Sequence, residues 1–95
     1  MILIIGGKYQ GKHEYAKQDF PGKNIVEFSD ILSGKIKENE CTDALIIAEE
    51  NSSGIVPSDI KELRYREEYN RTLTGLASRA DEVYRVFCGI GMKIK

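Results

Sequence analysis

The stretch Met1-Ile2-Leu3-Ile4-Ile5-Gly6-Gly7-Lys8-Tyr9-Gln10-Gly11-Lys12-His13 decides how the rest of the chain is read. Its opening, Ile2-Leu3-Ile4-Ile5, is apolar without alternation, the pattern of a strand covered on both faces in a parallel sheet. The run ends abruptly at Gly6-Gly7. From Gly6 onward the residues fit G-x-x-x-x-G-K, the spacing of a phosphate-binding loop, with His13 where Ser or Thr is expected. Glycines in such a loop let the backbone curl until successive N–H groups converge on phosphate oxygens. The following helix adds its positive end, and Lys12 supplies a point charge for the outer phosphates. Gly6, Gly7, Lys8, Gly11, Lys12 and His13 are therefore the predicted nucleotide-binding residues, with Lys12 also in a catalytic role.

Downstream, residues 11–19 accommodate about two helical turns before Phe20-Pro21 stops them, because the residue ahead of a proline is pushed out of the α region. Residues 24–28 read as a second strand. Ser29 or Asp30 is placed to cap a helix over residues 31–38, which Gly34 interrupts. Residues 44–48 repeat the all-apolar signature of the first strand and end at Glu49-Glu50, a polar strand end of the kind where open α/β sheets bind ligands. Pro57-Ser58-Asp59 opens the longest helix, with Ile60, Leu63, Tyr69, Leu73, Leu76, Ala77 and Ala80 on one stripe. Residues 82–88 alternate, and the placement of Arg85 points to a strand near a sheet edge. Gly89-Ile90-Gly91 turns the chain into an antiparallel partner. The fold predicted is α/β: a reduced P-loop NTPase-like domain over residues 1–95, with a mostly parallel sheet of four to five strands and a C-terminal antiparallel hairpin.

The composition excludes several functions. Ninety-five residues, 41% apolar and 31% charged, describe one small globular domain. A net charge of -1, from 14 basic against 15 acidic side chains, gives no electrostatic basis for nucleic-acid or acidic-membrane binding. Any phosphate bound is expected on a small molecule. The apolar run at the start is too short for an export signal, so a cytoplasmic protein is expected. Cys41 and Cys88 have no CxxC spacing, and one histidine cannot complete a zinc cluster, so both thiols are expected reduced and packed. The sequons at Asn51 and Asn70 are read as chance. Few helices to cover a sheet leave apolar faces, and self-association is expected to bury them.

The same spacing bears on chemistry. Mg²⁺ takes oxygen ligands, and the imidazole of His13 replaces them poorly, so metal-assisted phosphoryl transfer is expected to be impaired. Glu50, at a central strand end beside Glu49, is the candidate Mg²⁺ ligand or base. His13 is a candidate covalent acceptor of a guanylyl or phosphoryl group. Arg66 and Arg71 are candidate phosphate clamps on the long helix, set against ordinary i,i+4 pairing with Glu62, Glu67 and Glu68.

Ser53-Gly54-Ile55-Val56-Pro57, Arg66-Glu67 with Arg71, Ala80-Asp81-Glu82-Val83 and Gly89-Ile90-Gly91-Met92-Lys93-Ile94-Lys95 resemble the end of the bifunctional adenosylcobinamide kinase / adenosylcobinamide-phosphate guanylyltransferase family of cobalamin synthesis. The first fifteen residues resemble that family's first strand and P-loop. The resemblance implies ATP or GTP as phosphoryl donor to a corrinoid, GTP as guanylyl donor, and a trimeric homo-oligomer. The chain departs from the family at several points. Between Asp30 and Asp43 it keeps a dozen residues where the family carries its guanylylated histidine and the acidic strand end that assists Mg²⁺. Tyr9-Gln10, His13 and Leu73-Thr74 replace family residues, and Glu49 stands where an asparagine is usual, whereas Glu50 matches. Two readings follow: a nucleotide-binding protein of this type acting in cobalamin biosynthesis, as a nucleotide-dependent transferase if active, or a non-catalytic remnant serving as a binding or oligomeric interaction module.

Overall fold

The computed structural model describes residues 1–50 and 59–95. Five strands form one sheet in the order β2-β3-β1-β4-β5. β1 (Ile2–Gly6), β2 (Ile25–Glu27), β3 (Leu45–Glu49) and β4 (Glu82–Phe87) run parallel, and β5 (Ile90–Lys93) pairs antiparallel with β4. The fold is therefore α/β, with a mostly parallel sheet and a C-terminal antiparallel hairpin. β1 lies between β3 and β4, in register from Ile2↔Leu45 to Gly6↔Glu49 on one side and from Ile2↔Glu82 to Ile5↔Arg85 on the other. A strand flanked by parallel neighbours and covered on both faces has no polar side to show, which is why β1 and β3 carry unbroken apolar runs.

α1 (Lys12–Asp19) connects β1 to β2, and α3 (Ile60–Arg79) lies between β3 and β4. The two cover opposite faces. On the α1 side Ile2, Ile4, Leu45, Ile47 and Val86 pack with Ala16, Tyr15 and Phe20. On the α3 side Leu3, Ile46, Ala48 and Val83 pack with Tyr69, Leu76 and Phe28. Each fully buried aliphatic chain contributes about 1.5–3 kcal/mol. Eight residues are too few for an independent helix, so α1 depends on this packing. It ends at Phe20, ahead of Pro21, and the rings of Phe20, Tyr15 and Tyr84 meet at centroid distances of 5.3–6.2 Å.

Four expectations are corrected. The helix placed over residues 31–38 is α2 (Phe28–Leu32), entered directly from β2, and it ends at Ser33, ahead of Gly34 with φ +84°. Burial of the Phe28 ring against Tyr69 outweighs the capping preference of Ser29 and Asp30. Ile60 opens α3 but is 63% exposed, so the apolar stripe starts later. The hairpin turn is Cys88-Gly89 rather than residues 89–91, with positive φ at both, as a two-residue type I′ connection requires. Cys88 is consequently exposed, whereas Cys41 is buried, and both are free thiols. Asp59 caps α3 by accepting from the Lys61 N–H at 2.9 Å. Ser53 to Pro57 and the Asn51 sequon lie outside the described residues. No helix of the described residues is long and apolar enough to cross a membrane.

Candidate functional site

The order of the strands fixes where a ligand would sit. The connection leaving β1 crosses to β2 on one side, the connection leaving β3 crosses to β4 on the other, and β1 and β3 are neighbours. Connections that part in this way open a crevice at the strands' carboxyl ends, the usual ligand position in open α/β sheets. Gly6 and Glu49 are register partners at those ends, and the Glu50 N–H donates to the Gly6 carbonyl at 2.8 Å.

Gly6 is buried, and a Cβ there would lie 2.7 Å from the Val86 carbonyl oxygen, so this glycine serves the close approach of β4. Gly11 is the N-cap of α1 at φ +83°, and a Cβ on it would press on Gly89 at 3.3 Å. Between them the loop turns through Tyr9, left-handed at φ 60° and 99% exposed. Gln10 anchors the loop to the hairpin: its carbonyl accepts from the Gly89 N–H at 2.8 Å and its Oε1 from the Cys88 N–H at 2.7 Å. Lys12 folds back and donates from Nζ to the Gly7 carbonyl at 2.7 Å. Lys8 and Tyr9 form a hydrogen-bonded turn closed from Gly7 to Gln10, and among the described residues no other hydrogen bond has a backbone N–H of residues 7–13 as its donor. A depression of about 230 Å³ lined by residues 9–14 thus takes in the start of α1, with its unpaired N–H groups, and Lys12.

A second cavity, about 320 Å³, opens beside the loop at the ends of β2 and β3. Lys8, Glu27, Ser29 and Glu49 give it polar walls, and Phe28, Tyr65 and Tyr69 aromatic ones. Tyr69 fixes the end of β3: its hydroxyl accepts from the Glu49 N–H at 3.1 Å and donates to the Glu49 carbonyl at 2.8 Å. Burial pushes the Tyr69 phenol above its ordinary pKa, so it stays neutral and keeps that proton.

The other predicted residues are placed differently. Glu50 forms an ion pair with Arg85 of β4 at 3.1 Å. A carboxylate neutralised in this way is a poor cation ligand, and position 13 offers no hydroxyl, so the residues present do not fit Mg²⁺. Among the described residues no group of three or more His, Cys, Asp or Glu is arranged to hold a metal. His13 is exposed, and its Nε2–H donates to Glu27 Oε1 at 2.5 Å. A carboxylate only accepts, so Nε2 holds the proton, and Nδ1 is the nitrogen left with a free lone pair. Arg66 and Arg71 line none of these cavities. Arg66 has a partner of its own, and Arg71 is exposed.

Gln10, Glu27, Tyr69 and Arg85 are the site residues that the sequence did not single out for these tasks. Arg85 carried a signal, as a charge in the middle of an alternating strand. Tyr69 carried one too, as a hydroxyl on the apolar stripe of α3. Neither Gln10 nor Glu27 stands out before the hairpin and β2 are placed. No protein-family model matches the chain, and no curated protein matches it.

Proposed function

We propose that this chain binds a nucleoside phosphate on the β1–α1 loop, as a reduced P-loop NTPase-like protein. The observation that carries this reading is the set of N–H groups at the start of α1, which have no partner among the described residues, beside the Lys12 ammonium. The first N–H groups of a helix have no partner within it, and an anion at a helix N-terminus satisfies several at once. Phosphate in the depression displaces the Gly7 carbonyl as the partner of Lys12. The neighbouring 320 Å³ cavity, with its aromatic walls, receives the organic part of the nucleotide or of a second substrate.

The resemblance to adenosylcobinamide kinase / guanylyltransferase enzymes suggests ATP or GTP as the nucleotide, a corrinoid as the second substrate, cobalamin biosynthesis in the cytoplasm as the setting, and a homo-oligomer. Catalysis on that pattern asks more of Glu50 than its partner leaves it. Glu50 is held by Arg85, and this pair favours the second reading, a module that binds nucleotide without turning it over.

A thermal-shift titration with GTP and ATP, with and without Mg²⁺, tests the proposal. Ligand at one hundred times its Kd stabilises the folded state by about 2.7 kcal/mol. The expected result is a shift in the unmodified protein that Mg²⁺ barely changes and that Lys12→Ala removes without altering the unliganded melting temperature. No shift with either nucleotide overturns the reading. Release of labelled phosphate in the same mixtures separates the transferase from the binding module.

A further inference from the structure

The β4–β5 hairpin presents an apolar face that the described residues leave uncovered. Strand alternation and the register Arg85↔Met92, Phe87↔Ile90 put Phe87, Ile90 and Met92 on the face that α3 covers further back at Val83, and Ile94 continues it beyond the end of β5. These four side chains are 61%, 69%, 54% and 59% exposed. Together they leave roughly 500 Å² of apolar surface in one patch, at the upper end of what monomers show.

The charges that ordinarily protect such a margin are committed elsewhere. Lys93 projects to the opposite face and pairs with Glu82 at 3.0 Å. Lys95 turns beneath the end of α3 and donates to the carbonyls of Ala77, Ser78 and Ala80 at 2.7–3.2 Å. Arg85, the charged residue beside these four on the same face, is neutralised by Glu50. Edge strands usually carry free lysines or other charges that repel a neighbouring chain, and here each has an internal partner.

We propose that this face is a self-association surface, covered in solution by the same face of a second copy related by a two-fold axis. A two-fold interface brings one patch against its equal and therefore requires self-complementarity. An apolar patch free of unpaired charge meets that condition, whereas a patch with a lone cation would oppose its own copy. The net charge of -1 gives little long-range repulsion between copies. Two such patches, with the main chain around them, reach the roughly 1,200 Å² at which stable interfaces begin. This inference does not depend on nucleotide binding.

Sedimentation of the full chain, at concentrations up to roughly 100 µM, tests it. The expected mass is twice that of one chain, falling to that of one chain on dilution. In Ile90→Lys/Met92→Lys the chain is expected to stay monomeric throughout, with an unchanged far-ultraviolet circular dichroism spectrum. Arg64→Glu, on the exposed side of α3, is the control and is expected to dimerise like the unmodified protein. Concentration-dependent amide protection confined to residues 87–94 would agree. A monomer at all concentrations, a dimer that survives the double lysine variant, or a trimer overturns the proposal.

Discussion

At the amino end of the sheet the chain ties itself together with its own side chains. Arg79 grips both oxygens of Glu38 at 2.5 and 2.7 Å, Lys95 gathers three carbonyls at the end of α3, and the Asp81 N–H donates to the Met1 carbonyl at 2.9 Å. At the carboxyl end Gln10 ties the loop to the hairpin, and among the described residues the N–H groups at the start of α1 are left without partners. One end spends its hydrogen-bonding capacity on the fold and the other keeps it in reserve. Substitutions at the first should therefore alter stability without altering the response to a ligand, and substitutions at the second should do the reverse.

The largest expected effect is on the stabilising side. Leu76 is fully buried near the end of α3, and Leu76→Ala should cost about 2–5 kcal/mol, read as a lower urea midpoint, while any nucleotide-induced shift survives in the folded fraction. Next comes Gly91→Ala. A Cβ there would sit 2.1 Å from the Tyr15 ring, itself held between Phe20 and Tyr84. Overpacking of this kind costs roughly 1–3 kcal/mol, and denaturant melts would show it. Because Tyr15 lies on α1, this variant is the one expected to disturb both ends together.

Gln10→Ala should be smaller and one-sided. It removes the side-chain acceptor of the Cys88 N–H, which can turn to water, so stability falls by about 1 kcal/mol or less. Slackening of the loop should nevertheless weaken the thermal shift with nucleotide. A stability loss without any change in that shift would mean that the hairpin does not hold the loop in shape.

The smallest effect is acid sensitivity at the amino end. The Arg79 guanidinium hydrogen-bonded to Glu38 holds that carboxyl below its ordinary range. The folded state then binds fewer protons than the unfolded one, so this contribution is complete above the ordinary carboxylate range and is lost as pH falls through the lowered value. Glu38→Gln should flatten that part of the stability profile by about 0.2–1 kcal/mol, as for a partly exposed pair. No flattening would show that the pair is no more than a surface contact.

Much of this arrangement was legible before the coordinates. Unbroken apolar runs in β1 and β3 can only be central parallel strands, and the glycine spacing placed the loop between β1 and α1. Alternation in β4, broken by Arg85, located the sheet margin. The pairings that decide what the site can do were not legible. Glu50 and Arg85 are 35 residues apart and meet only because β4 lies beside β1. His13 meets Glu27 only because α1 leads across to β2. Local signals also failed where tertiary burial competed with capping, as when Phe28 drew the start of α2 back to the end of β2.

Tyr9 stands at the lip of the loop, almost wholly in water, in a chain that contains no tryptophan. A Tyr9→Trp substitution would place a lone indole fluorophore at that rim, where it disturbs no packing. Its emission would then report on events at the loop against a background free of any other indole, giving a direct optical measure of occupancy at millisecond resolution.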